Sequence, residues 1–267
     1  MTNLRQLILG LLFFLLSGVT FAADKNPVAL TSIHYPPYFG EKMPLGGVMT
    51  DLIRAAFKQS DFELNVSFLP FSNAIAKAKE GKEHDGMFTL WYNSERSQWA
   101  YFSDPILPNV VGLFKHRDTE LPAYWNMKYL KASSKTLGVV KGYENPDEIN
   151  ESGLVKVPAK SDLYNLKALF DKEVDFIVID KMVADYLIHH YFPGQEDIFV
   201  WLDPPLEYRM QYIVITKNAP NAEQKMSAFN HGLKQIRSNG TYDKIMQKHG
   251  FDWLIEDQNN WLHYLPN

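Results

Sequence analysis

The sequence predicts an α/β fold of two lobes, each a mostly parallel sheet flanked by helices, joined by two short crossovers. Three observations lead there. Strand-like and helix-like patterns alternate through both halves of the chain. Two stretches, residues 74–91 and 166–180, echo each other as a short helix, a tight polar turn, an Asp (Asp85 or Asp175) and an apolar strand. Each strand delivers one charge at or beyond its end, Arg96 from the first unit and Asp180 from the second. Finally, no linker rich in Gly, Ser or Pro splits the chain, so the lobes are expected to join by crossovers rather than by a tether. In open α/β sheets ligands sit beyond the carboxyl ends of strands. Two such lobes face to face would offer a guanidinium from one side and a carboxylate from the other, which suits a small zwitterion.

Residues 28–33 read as a buried strand, followed by the rigid aromatic loop His34-Tyr-Pro-Pro-Tyr38, in which the prolines fix φ. After the Gly46-Gly47 turn, Met49, Leu52, Ile53, Ala56 and Phe57 recur at helical spacing. Residues 64–68 alternate as a strand. Phe71–Glu80 is expected to be a helix with Gly81 as its C-cap, and Gly86–Leu90 a strand. The strand at 110–115 is the expected first crossover, and the second lobe opens around Lys135. Residues 137–140 form a strand that runs into the turn Lys141-Gly142-Tyr143. Helices are expected over 160–170 and 180–191, on either side of the second echo. Residues 210–216 are the expected return crossover. The long amphipathic helix 221–238 ends at Asn239-Gly240, and a last helix, 242–249, packs back onto the first lobe. The boundaries read as lobe 1 over 23–112 and 211–267, and lobe 2 over 113–210.

Residues 1–22 read as a cleavable signal peptide. Arg5 precedes an apolar run over 7–16, and Thr20-Phe-Ala22 resembles a small-x-small cleavage site. That run is shorter than the about 20 residues that a bilayer span needs. Removing the leader takes one Arg and no acid, so the net charge moves from −4 to −5, and a mildly acidic chain lacks the basic face that nucleic acid requires. The chain has no Cys, which excludes disulfides, thiolate chemistry and Cys-based metal sites. His189 and His190 are adjacent, diverge by about 100° on a helix, and are poorly placed to share one ion. Neither a metal nor a cofactor is expected. No Gly-x-Ser-x-Gly or Ser-x-x-Lys motif points to a nucleophilic hydrolase.

Several ordered marks span the mature chain: Gly47-Val-Met-Thr-Asp51-Leu, the Gly81…Asp85 turn, Ser94-Glu95-Arg96, Phe102-Ser-Asp-Pro105, Leu137-Gly-Val-Val-Lys-Gly142, Asp175…Asp180 and Gly240-Thr-Tyr-Asp-Lys-Ile245. In their order and spacing the chain resembles the bacterial extracellular solute-binding proteins of family 3, the amino-acid-binding components of ABC importers. The resemblance implies the type II periplasmic-binding-protein fold, a periplasmic location, a monomer, an amino-acid-like ligand and an inner-membrane ABC permease as partner. Carried over, Arg96 matches the arginine that clamps the ligand α-carboxylate, Asp180 the acid that receives the α-amino group, and Tyr35 an aromatic that packs on the ligand side chain. Chemistry agrees, since Arg presents a bidentate fork to carboxylate. Two positions depart from the family. Trp91 stands where a Ser or Thr is usual five residues before the arginine, and Gly142-Tyr143 replaces a Gly-Thr or Gly-Ser step. Both replacements remove a hydroxyl that would touch the carboxylate.

Each site residue has a plainer reading as well. Arg96 could pair with Glu95 on the surface, and Asp180 could cap the helix that follows it, alone or in addition to binding ligand. Tyr35 and Tyr38 could be packed aromatics. Trp91 and Tyr143 could line the cleft or lie in the interlobe core. The expected function is non-enzymatic capture of a small polar solute for a membrane importer. The alternatives are a solute-sensing partner of a signalling receptor and a cyclohexadienyl-dehydratase-like enzyme, for which Glu144, Glu148, Glu173 and Glu207 are the available acids.

Overall fold

In the computed structural model, residues 26–256 and 261 are described, apart from 123, 125 and 133, so the expected leader over 1–22 lies outside the described residues. The strands are β1 (Asn26–Ser32), β2 (Phe62–Phe68), β3 (Gly86–Leu90), β4 (Ala100–Phe102), β5 (Leu107–His116), β6 (Thr136–Val140), β7 (Val155–Ala159), β8 (Phe176–Asp180) and β9 (Phe199–Thr216). The helices are α1 (Val48–Lys58), α2 (Phe71–Glu80), α3 (Ser94–Trp99), α4 (Met127–Ala132), α5 (Asp147–Glu151), α6 (Asp162–Phe170), α7 (Lys181–Tyr191), α8 (Ala222–Ser238), α9 (Thr241–Lys248) and α10 (Asp252–Glu256).

Strands β2, β1 and β3 run parallel, as do β7, β6 and β8. Between these two parallel sets lie β9 and β5, paired antiparallel to each other. β9 belongs to both halves: Phe199 to Gln211 pairs with β5, and Tyr212 to Thr216 pairs with β3 and β4. Mostly parallel sheets flanked by helices and joined through two long strands are the two-lobed α/β fold expected from the sequence.

The echo has a structural explanation. Asp85 Oδ2 accepts the Ala29 N–H (2.9 Å), and Asp85 Oδ1 pairs with Lys225 (2.5 Å). Asp175 Oδ2 accepts the Thr136 N–H (2.8 Å), and Asp175 Oδ1 pairs with Lys135 (2.9 Å). In each lobe an acid just before a strand fastens the neighbouring parallel strand, β1 or β6, by its backbone. The Asp in the repeated unit is therefore part of the sheet's assembly, and the charge beyond the strand is left for other work.

In the first lobe α1 buries Met49, Leu52, Ile53, Ala56 and Phe57 along one stripe, as their spacing requires. Helix α8 lies against it, with Phe57 and Phe229 5.1 Å apart. At Gly232 a Cβ would fall 1.9 Å from the Ala56 carbonyl oxygen, so the two helices meet backbone to backbone. Gly232→Ala is expected to force them apart and lower stability by about 1–3 kcal/mol, read as an earlier urea midpoint. An unchanged midpoint would show that the contact relaxes freely. Helix α9 returns to the same lobe, where Lys248 and His249 both reach Asp51 at 3.1 Å.

Short elements escape the sequence pattern. Helix α3, strand β4 and strand β7 carry too few residues to show a period, and β7 holds Pro158 on a sheet edge, where proline is tolerated. β9 begins eleven residues earlier than the expected 210, because Asp203-Pro204-Pro205 interrupts the strand pattern without ending the strand. The register with β5 shifts there, from Val111↔Glu207 to Leu113↔Leu202, so the extra residues bulge out of the ladder.

Candidate functional site

An open cavity is lined from both halves of the molecule. Ile33, Tyr35, Phe39, Phe71, Thr89, Leu90, Trp91 and Arg96 come from the first, Asn109 from β5, and Gly142, Tyr143 and Glu144 from the turn after β6. The floor and walls are largely aromatic. Arg96 and Glu144 are the two formally charged residues among those that line it.

Arg96 owes its position to the end of β3. Asn93 caps α3 by accepting the Arg96 N–H (2.8 Å), which sets the helix start three residues before the guanidinium is needed. Nη1 of Arg96 then donates back to the Trp91 carbonyl (2.7 Å), which fixes the fork, and Nη2 lies 3.7 Å from Glu144 Oε1. The surface pairing with Glu95 is not what holds it. Asn93 Nδ2 also donates to Glu144 Oε1 (2.6 Å). Glu144 therefore bridges from the second lobe to two residues of the first.

Trp91 lines the cavity and also packs against a hydrophobic cluster of the second lobe. Its indole N–H donates to Asn109 Oδ1 (2.9 Å), and the Arg209 guanidinium stacks 4.5 Å from its ring. Tyr143 lines the opposite wall about two-fifths exposed, and its hydroxyl donates to Asp162 Oδ2 (3.2 Å). Tyr35 sits on the wall, its ring 6.0 Å from Tyr38 and 5.7 Å from Phe39.

Asp180 lies behind this wall and is not among the lining residues. It is 4% exposed, and its two oxygens accept from Tyr38 Oη (3.1 and 2.9 Å), Asn109 Nδ2 (2.9 Å), the Val110 N–H (3.0 Å) and the Val183 N–H (2.9 Å). The last of these caps α7, as the sequence suggested. Burial pushes its carboxyl up to about 6, against the pull of those donors. Asp162 is likewise pushed up to about 6 by burial. A relay of hydrogen bonds runs Trp91, Asn109, Asp180, Tyr38 across the lobe boundary.

The model of bacterial extracellular solute-binding proteins, family 3, matches residues 28–252. The chain belongs to that family. Proteins similar to it include the arginine-binding periplasmic protein of Mannheimia haemolytica, 23% identical over 251 residues that cover 92% of this chain and 98% of that one. Among solved structures, the GluR0 ligand-binding core from Nostoc punctiforme in complex with L-glutamate superposes with a TM-score of 0.66 at 19% identity, covering 85% of this chain and 100% of that one. A histidine kinase sensor domain similar to periplasmic binding proteins gives 0.68 at 19% identity, covering 84% and 95%. An ancestral arginine-binding protein bound to arginine gives 0.64 at 20% identity, covering 84% and 97%. At these identities the structures speak for the two-lobed fold alone.

In this family-3 chain, Asn109 and Glu144 line the cleft while Asn93 and Arg209 hold its lining residues Glu144 and Trp91, and sequence reasoning singled out none of the four as a ligand contact. Asn93 was detectable as a cap three residues ahead of Arg96. Arg209 carried no signal, because its partner Trp91 is 118 residues away.

Proposed function

We propose that this protein is a periplasmic receptor that captures an amino acid, arginine foremost, between its lobes and delivers it to an inner-membrane ABC importer, without catalysing a reaction. The supporting observation is the cleft itself: a guanidinium with a fixed fork, opposed by a carboxylate from the other lobe, inside an aromatic wall. Arg96 would receive the ligand carboxylate. Tyr35, Trp91 and Tyr143 would pack against its apolar parts, and Asp180 would lend negative charge from behind Asn109. Arginine leads because a similar periplasmic protein is named for binding it. The leader over 1–22 would carry the chain to the periplasm. The lobes, 23–112 with 211–267 and 113–210, would hinge at 110–114 and 207–212, where β5 and β9 pass between them. A ligand that bridges the lobes favours the closed state by its differential affinity.

A thermal-shift panel of amino acids, polyamines, small peptides and organic acids tests this. Arginine at 100 times its Kd is expected to add about 2.7 kcal/mol of stability and to contract the radius of gyration seen by small-angle scattering. A panel in which nothing raises the melting temperature would sink the receptor reading.

The sensing role is the second reading, favoured by the likeness to a histidine kinase sensor domain. Co-purification separates the two, since an importer would retain a permease and a sensor would retain a receptor kinase.

A further inference from the structure

We propose that Glu144 is the carboxylate that receives the ligand's α-ammonium, so that Arg96 and Glu144 together grip the zwitterion from opposite lobes. This deepens the amino-acid-binding reading above and rests on it.

The argument begins with what each acid is free to do. Asp180 stands at the strand end where the sequence places the ammonium acceptor, yet its oxygens already accept from four donors, the Tyr38 hydroxyl shared between both oxygens. An ammonium that reached it would have to displace Asn109, whose other amide atom is held by Trp91 (2.9 Å). Glu144 is differently placed. It lines the cavity, its side chain is 35% exposed, and both of its side-chain contacts use Oε1 alone.

Geometry then ties it to Arg96. The α-ammonium and α-carboxylate of an amino acid are separated by a single carbon. A carboxylate seated on the Arg96 fork therefore holds its ammonium a few ångströms away, the distance at which Glu144 stands, 3.7 Å from Nη2. The two side chains face each other as an ion pair. A partly exposed ion pair of that length contributes about 1 kcal/mol or less, so little opposes its exchange for two pairs with the ligand. At the α-carbon the exchange conserves charge, because the Arg96–Glu144 pair gives way to a ligand carboxylate on Arg96 and a ligand ammonium on Glu144. Gly142, with φ of 86°, turns the chain so that residue 144 faces the other lobe.

The test uses L-arginine and 5-guanidinopentanoic acid, which is arginine without its α-amino group, titrated by calorimetry into the full-length mature protein. Glu144→Gln is expected to weaken arginine at least about 10-fold, while the deaminated acid, read by competition where weak, moves by less than about threefold. Glu144→Asp should restore part of the loss by keeping the charge. A residue that merely ties the lobes would shift both probes by the same factor, and that result overturns the proposal, as does full retention of arginine binding by Glu144→Gln. Wild-type protein that binds neither probe overturns it too. The amino-acid panel then separates the readings, because a different amino acid among its hits would leave the receptor function standing without this role for Glu144.

Discussion

Arg96→Ala is expected to weaken arginine binding at least about 30-fold in calorimetry, the loss that follows from removing one partner of a buried charge pair. The guanidinium does two jobs with different nitrogens. Nη1 holds the Trp91 carbonyl, and Nη2 faces the cavity. Lysine has one nitrogen for both tasks, so Arg96→Lys should also bind poorly, even though the charge is kept. The departures at Trp91 and Tyr143 sharpen the expectation, because no serine or threonine hydroxyl at either position shares the carboxylate with the arginine. Losses below about threefold for both variants would remove Arg96 from the site. Arg96 is partly exposed on a short helix, so circular dichroism should show the variants folded and keep the reading clean.

Much of the fold was legible because its strongest signals are local. α2 with its left-handed Gly81 cap, β3, β8 and α8 all follow from periodicity and punctuation within about 20 residues. The echo was legible too, although its repeated acids, Asp85 and Asp175, turn out to fasten strands. What sequence could not show is pairing across the chain. Asp180 does end β8, but its four hydrogen-bonding partners include Tyr38 and Asn109, 142 and 71 residues away, and they decide that its oxygens point into protein. Glu144 was one acid among four, and only its approach to Asn93 and Arg96, 51 and 48 residues earlier, sets it apart. Long-range pairs of this kind leave no periodic mark, so charge type was readable where charge orientation was not.

The same burial makes Asp180 the residue whose loss should cost most stability. Asp180→Ala strands the Tyr38 hydroxyl, the Asn109 amide and the Val110 and Val183 N–H groups, all in the interior. An unsatisfied buried donor costs about 1–3 kcal/mol, and loss of a helix cap about 1 kcal/mol. Relief from burying a charge offsets part of this, so a net loss of about 3 kcal/mol or more is expected from urea unfolding. Asp180→Asn keeps the shape and isolates the charge, and its cost should depend on pH. Burial holds the folded carboxyl up at about 6, above its unfolded value near 3.9. The folded state therefore keeps the proton longer than the unfolded chain does. The stability gained from that proton is fully present below about pH 4 and is lost as pH rises through about 6. The amide that Asp180→Asn introduces cannot titrate, so the wild-type advantage over that variant should be larger at about pH 4.5 than at about pH 7. Asp162, also held near 6 by burial, is raised in part by the Asp180 charge, so its coupling to Asp180 contributes to the difference as well. An advantage that stays flat across that window would show that the four donors, and not burial, set the carboxyl's protonation.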